Sequence, residues 1–246
     1  MVFIFSFLGG AIYGSFLNML LWRLPRREGI MGRSHCTSCD KTIAWYDLIP
    51  VLSFFLLSGK CRHCKKTISL RYLIVEIVCG ITLAGFAYTS GFYNPHSGAL
   101  IAAVLIFLSL LFFDLYFFIL PDIITFPAII GFFAYNVLTH AGFNPFLSGL
   151  LYALFFGMIY LVSRGRWLGF GDVKLVLLIG LIFGYPLGFM VIVGGIWIGA
   201  GVAIVLLASR KTALGKALPL GSFLSIAAIL AIIFQYEIQY LERFFW

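Results

Sequence analysis

Apolar residues come in runs too long for a soluble core, with polar residues confined to the gaps between them. Runs at 2–22, 72–89, 99–120, 123–139, 147–163, 175–183, 187–208 and 221–235 predict eight membrane-spanning helices. A helix of about 20 apolar residues, rising about 1.5 Å per residue, reaches across the hydrocarbon core. The sixth run is short, so its helix is expected to start at or before Asp172. Only residues 23–71 form a polar stretch long enough for a small folded domain. The fold expected is therefore an all-α polytopic membrane protein of about eight transmembrane helices, with a small cytoplasmic domain between helices 1 and 2. Its parts are residues 1–22 (first transmembrane helix), 23–71 (the polar domain) and 72–246 (the remaining bundle).

Composition agrees: 62% of residues are hydrophobic and 11% charged, against roughly 25% charged in soluble domains. The first run has no basic start and no small-residue cleavage site before Arg23, so it reads as a retained span and not a signal peptide. A net charge of +8 would suit nucleic acid. The basic residues sit in short loops, however, as orientation signals do. The expected partner is a lipid bilayer, with no nucleic acid. Ten of the seventeen Lys and Arg fall in 23–71; Arg164, Arg166, Lys174, Arg210, Lys211 and Lys216 fall on the same side by span counting. Only Arg243 falls opposite, and connections 90–98, 136–145 and 184–186 carry no charge. This places both termini outside, and the 23–71 loop with Asp114, Asp122 and Asp172 at the cytoplasmic side of the membrane.

Four of five cysteines make two knuckles, Cys36-Thr37-Ser38-Cys39 and Cys61-Arg62-His63-Cys64, inside an internal repeat running on through Lys41-Thr42-Ile43 and Lys66-Thr67-Ile68. Two such turns supply the four thiolates of a tetrahedral Zn2+ site. The alternatives are two surface thiol pairs or a redox Cys-x-x-Cys. Thiols facing the cytosol stay reduced, which favours metal over disulfide. A domain this small usually needs such a clasp. Four protein ligands leave no open position, so the zinc is structural. His35 and His63 are not needed as ligands, and Cys79 reads as a small core residue.

Asp114 follows fifteen apolar or small residues and precedes six more. A charge inside a span is costly and defaults to a functional candidate. Asp172 lies in Gly169-Phe170-Gly171-Asp172 at the mouth of another apolar run, and Asp122 follows Pro121 between runs. Two carboxylates brought together in a poorly hydrated site cannot both ionise. The ionised one can then take a proton from water while the protonated one donates to a scissile carbonyl. The plainer reading is that these acids cap helices at the water interface, which suits Asp122 best and Asp172 next. The glycines before Asp172 would admit a peptide or partner helix close to the backbone. Glu76 is expected to pair with Arg71; binding of a substrate amine or of a methyl-donor group is the alternative. A transporter relaying protons and a metal-sensing scaffold are the other classes the pattern allows.

Taken in order, Gly14-Ser15-Phe16-Leu17-Asn18, the two cysteine knuckles, Ile68-Ser69-x-Arg71-Tyr72, Val75-Glu76, Asp114 with Leu120-Pro121-Asp122, Gly169-Phe170-Gly171-Asp172 and Lys216-x-x-Pro219-x-Gly221 resemble the bacterial type IV prepilin peptidases, Gly-x-Gly-Asp intramembrane aspartyl proteases. The resemblance covers nearly the whole chain. It implies an aspartic endopeptidase that removes the short basic leader of prepilins and pseudopilins after a glycine at the cytoplasmic face, with Asp114 and Asp172 catalytic. It also implies N-methylation of the new N-terminus from S-adenosylmethionine, an activity tied to the cysteine loop. Thr37, Leu73, Leu220 and Ser222 depart from the family pattern, and none is an aspartate or a zinc thiolate.

Overall fold

The computed structural model describes residues 1–89, 96–209 and 218–234. Among these the regular elements are helical: α1 (Val2–Arg23), α2 (Leu52–Leu56), α3 (Leu70–Thr89), α4 (Ser97–Phe117), α5 (Asp122–Leu138), α6 (Asn144–Ser163), α7 (Phe170–Phe183), α8 (Leu187–Ala208) and α9 (Leu220–Ile233). The expected all-α class holds. Five of these, α1, α3, α4, α6 and α8, are long and apolar enough to cross a membrane. The other three runs form helices of 17, 14 and 14 residues in α5, α7 and α9, short of the ~20 a span needs. Arg210, Lys211, Lys216 and Arg243, used for orientation, lie outside the described residues, as does residue 235 at the end of the last predicted span.

Two compact units divide the chain between Val104 and Leu105, inside α4. In the first, α1 lies against α3 at backbone contact. A Cβ on Gly10 would stand 2.3 Å from the Cys79 carbonyl oxygen, and one on Gly14 would stand 2.7 Å from the Glu76 Cα. Helices without a hydrophobic drive to associate in lipid rely on such close approach. Cys79 is fully buried at this seam, as expected of a core residue. The second unit joins α6 to α7, α5 to α7 and α8 to α9. The small residues of α8 divide in function: Gly195 and Gly199 lie under Leu224 and Phe223 of α9, while Gly194 and Gly201 face open space.

Two boundaries differ from expectation by three residues. Helix α4 stops at Phe117, three residues before the predicted end at 120. The Phe118 N–H still bonds the Asp114 carbonyl at 2.9 Å, but Phe118 itself turns left-handed at φ 55°. Leu120 precedes a proline and is steered away from helix. Helix α6 starts three residues early, at Asn144, with Pro145 in its first turn, where a missing N–H costs nothing. As expected of the short sixth run, α7 starts before Asp172.

Candidate active site and cysteine cluster

All the acids of the second unit lie at helix ends. Asp114 is in the last turn of α4 and is buried, with 6% of its surface exposed. Its Oδ2 accepts two bonds from Ser222 in the first turn of α9, one from the backbone N–H at 2.6 Å and one from the hydroxyl at 2.9 Å. That hydroxyl also approaches the Leu111 carbonyl at 3.2 Å, so its single proton is shared. The first-turn amides of a helix are orphan donors and suit a carboxylate. Gly221 makes room for it: a Cβ there would sit 3.1 Å from the Asp114 carboxyl.

Asp172 is half-buried in the first turn of α7, where its Oδ2 accepts the Gly169 N–H at 3.2 Å. The capping role expected of Asp172 is thus partly realised, with Gly169 as the cap and Asp172 three residues in. It also lies near enough to Asp114 for the two charges to act on each other. Leu120 bridges them. Its Cδ1 would be 3.1 Å from a Cβ on Gly171 and 3.2 Å from one on Gly221. The space left by Gly171 is therefore filled by this chain's own Leu120.

Asp122 differs. It begins α5, is exposed, and forms an ion pair with Lys174 of α7. Lys174 is buried, with its ammonium 5.2 Å from the Phe126 ring and 5.5 Å from the Phe170 ring. A residue counted above only as an orientation signal is thus a buried cation neutralised by one carboxylate. The structure brings Asp114 and Asp172 together and gives Asp122 another partner. Ser222 and Lys174 were missed because each partner comes from a distant helix; a serine after Pro219-x-Gly221 was the only local hint.

In the first unit the four sulfurs of Cys36, Cys39, Cys61 and Cys64 all lie within 4.8 Å of one another. Cys36 and Cys64 Sγ are 3.8 Å apart, and ligands at ~2.3 Å on a tetrahedral ion stand ~3.8 Å apart. The repeat folds the same way twice. Cys36 N–H bonds Lys41 O at 3.0 Å and Cys61 N–H bonds Lys66 O at 2.9 Å. Asp40 and Lys65 both take positive φ, 53° and 58°, and single bridges His35–Thr42 and Lys60–Thr67 close each turn. The backbone N–H groups of Cys64 and His63 hold the Cys61 thiol down to about 6. The Lys41 backbone would lower Cys39 too, yet partial desolvation and the Cys36 and Cys64 thiols push it up to about 11. Four thiolates need a cation to share one site, and these residues fit one.

The loop is tied to α1 and α3. Arg23, buried at the end of α1, donates to the carbonyls of Gly29, Ile30, Gly32 and Arg33, so it is a peg for the loop as well as a positive charge. Arg62 forks onto Asp47 at 2.8 and 2.6 Å and holds that carboxyl below its ordinary value of 3.8. The Glu76 carboxylate accepts the Val51 N–H at 2.8 Å. Between loop and helices lies a cavity of about 790 Å3, bordered among others by Asn18, Trp22, Arg71, Tyr72 and Glu76.

Comparison with known proteins finds two family models: the bacterial peptidase A24 N-terminal domain over residues 8–90 and the type IV leader peptidase family over residues 100–236. Curated relatives include prepilin leader peptidase/N-methyltransferases of Pseudomonas putida (30% identical, covering 93% of this chain and 89% of the relative) and Vibrio cholerae (34%, 70% and 74%). That of Aeromonas hydrophila is 29% identical over 99% of this chain and 94% of its own. No solved structure matches.

Proposed function

The chain belongs to the type IV leader peptidase family, and from that premise we propose that this multi-pass membrane enzyme is an aspartyl endopeptidase acting through Asp114 and Asp172. Its substrates are prepilins or related pseudopilins, whose short basic leader it removes after a glycine at the cytoplasmic face of the inner membrane. The observation that carries this reading is the meeting of two acids from α4 and α7 across Leu120, while the third acid, Asp122, is engaged by Lys174. Asp114, with two donors on one oxygen, is the member suited to hold negative charge and take the proton of a water. Asp172, with one longer contact, donates its proton to the scissile carbonyl; Asp114 then passes the proton it took from water to the leaving amine as the gem-diol returns one to Asp172.

Residues 23–71 form the cytoplasmic knuckle domain between the first helix (1–22) and the peptidase bundle (72–246). Cys36, Cys39, Cys61 and Cys64 would hold Zn2+, which folds that domain and takes no part in hydrolysis. After cleavage the new N-terminus is methylated from S-adenosylmethionine, which supplies an electrophilic methyl group when bound. Asn18 supports the fit of a donor near the loop, because its Oδ1 is buried with no partner beside the 790 Å3 cavity. Mass spectrometry of a purified prepilin incubated with the enzyme tests the reading. The product should begin immediately after a leader glycine and gain one methyl only when S-adenosylmethionine is added. An unshortened prepilin contradicts it.

A further inference from the structure

The cavity between the cysteine loop and the α1–α3 pair contains an unmet hydrogen-bonding demand. Asn18 is 2% exposed. Its Nδ2 donates to the Tyr72 carbonyl at 2.9 Å, which fixes the amide, and its Oδ1 is left without a donor. A buried acceptor left unpaired is costly, so a bound group that donates to it is favoured. Glu76 borders the same cavity and is 8% exposed, with one oxygen steadied by the Val51 N–H. A buried carboxylate and a spare amide oxygen bordering one cavity call for a cation with N–H bonds. Arg71 borders the cavity too and offers the opposite charge. Ammonium and carboxylate together describe an α-amino acid head group. The volume of about 790 Å3 falls within the ~300–1,000 Å3 typical of small-molecule sites and has room for a nucleoside behind that head.

We infer that this cavity is the methyl-donor site: Asn18 Oδ1 and the Glu76 carboxylate receive the α-ammonium of S-adenosylmethionine, and Arg71 receives its carboxylate. The inference rests on the methyltransferase half of the proposed function and is independent of the aspartates. A trimmed prepilin also presents an ammonium, but its first residue has a peptide bond where the donor has a carboxylate, so Arg71 favours the donor.

Equilibrium binding of radiolabelled S-adenosylmethionine to the full-length, zinc-loaded protein in lipid tests it. Sinefungin, which keeps the amino acid head, should displace the label. Methylthioadenosine, a neutral thioether lacking that head, should bind at least tenfold more weakly. Glu76→Gln, which keeps an acceptor for Val51 N–H, should weaken donor binding at least tenfold, and Asn18→Ala should weaken it severalfold, with zinc content reporting that the loop is folded. Displacement by methylthioadenosine as effective as by S-adenosylmethionine overturns the inference. So does unchanged donor affinity in Glu76→Gln while a short peptide with a free α-amine loses its binding. If the unaltered protein binds no donor at all, the methyltransferase reading itself fails; if it binds the donor but the variants bind equally well, only this placement fails.

Discussion

Cys36 and Cys64 stand 28 positions apart, and each belongs to a turn closed by that turn's own backbone. Asp114 reaches Ser222 across 108 positions and lies across Leu120 from Asp172 because α4, α7 and α9 bring their ends to that side chain. The cysteine cluster is thus two copies of a local solution whose four sulfurs fit one metal ion. The acid site is a tertiary product with no local precursor. The difference teaches which perturbations stay confined. Damage to a knuckle should remain in the first unit, whereas the acid site depends on helix ends that also hold the second unit together.

The largest effect separates the three acids. Asp114→Asn or Asp172→Asn should lower prepilin cleavage by about 10²–10⁴-fold, the scale of general acid–base catalysis, as read from the shortened product on gels. Cys36→Ser should come next. Zinc measured by metal analysis should fall to near zero and methyl transfer with it, while leader cleavage falls far less. Equal loss of both activities would erase the contrast between the two regions. Ser222→Ala removes one of two donors to Asp114 and should cost about 1 kcal/mol, or roughly fivefold in cleavage rate; Ser222→Thr should restore it.

Two smaller outcomes sharpen the comparison. Asp122→Asn leaves Lys174 without its partner, but Asp122 is mostly exposed, so the loss should stay near the ~1 kcal/mol scale of exposed pairs, seen as a melting shift of a few degrees with cleavage retained. Asp47→Asn should have the least effect. Arg62 holds the Asp47 carboxyl below its ordinary value, so the pair's contribution is present above that value and is lost only as pH falls beneath it. The melting difference from the unaltered protein should be flat from about pH 8 to 5; a difference that vanishes by pH 6 contradicts the pairing.

What was readable beforehand follows the same division. The knuckles repeat within one short stretch, so spacing alone exposes them. Asp114 and Asp172 stand out because a charge in an apolar run is expensive. Helix positions came out well because hydrophobic run length controls them, while the end of α4 did not, because Phe118 turns left-handed under the demands of the Leu120-Pro121 junction. Ser222 as a donor, Lys174 as the partner of Asp122 and the orphaned Asn18 oxygen were illegible for one reason. Each is defined by a neighbour from another helix, and one chain carries no local mark of which helix ends converge.

The most direct measurement is the separation of the Asp114 and Asp172 carboxylates in a structure of the protein bound to an uncleavable prepilin segment. Both should lie within hydrogen-bond reach, about 2.6–3.2 Å, of one water or of the atoms replacing the scissile bond. Carboxylates facing lipid on separate flanks, with the peptide seated elsewhere, would contradict it.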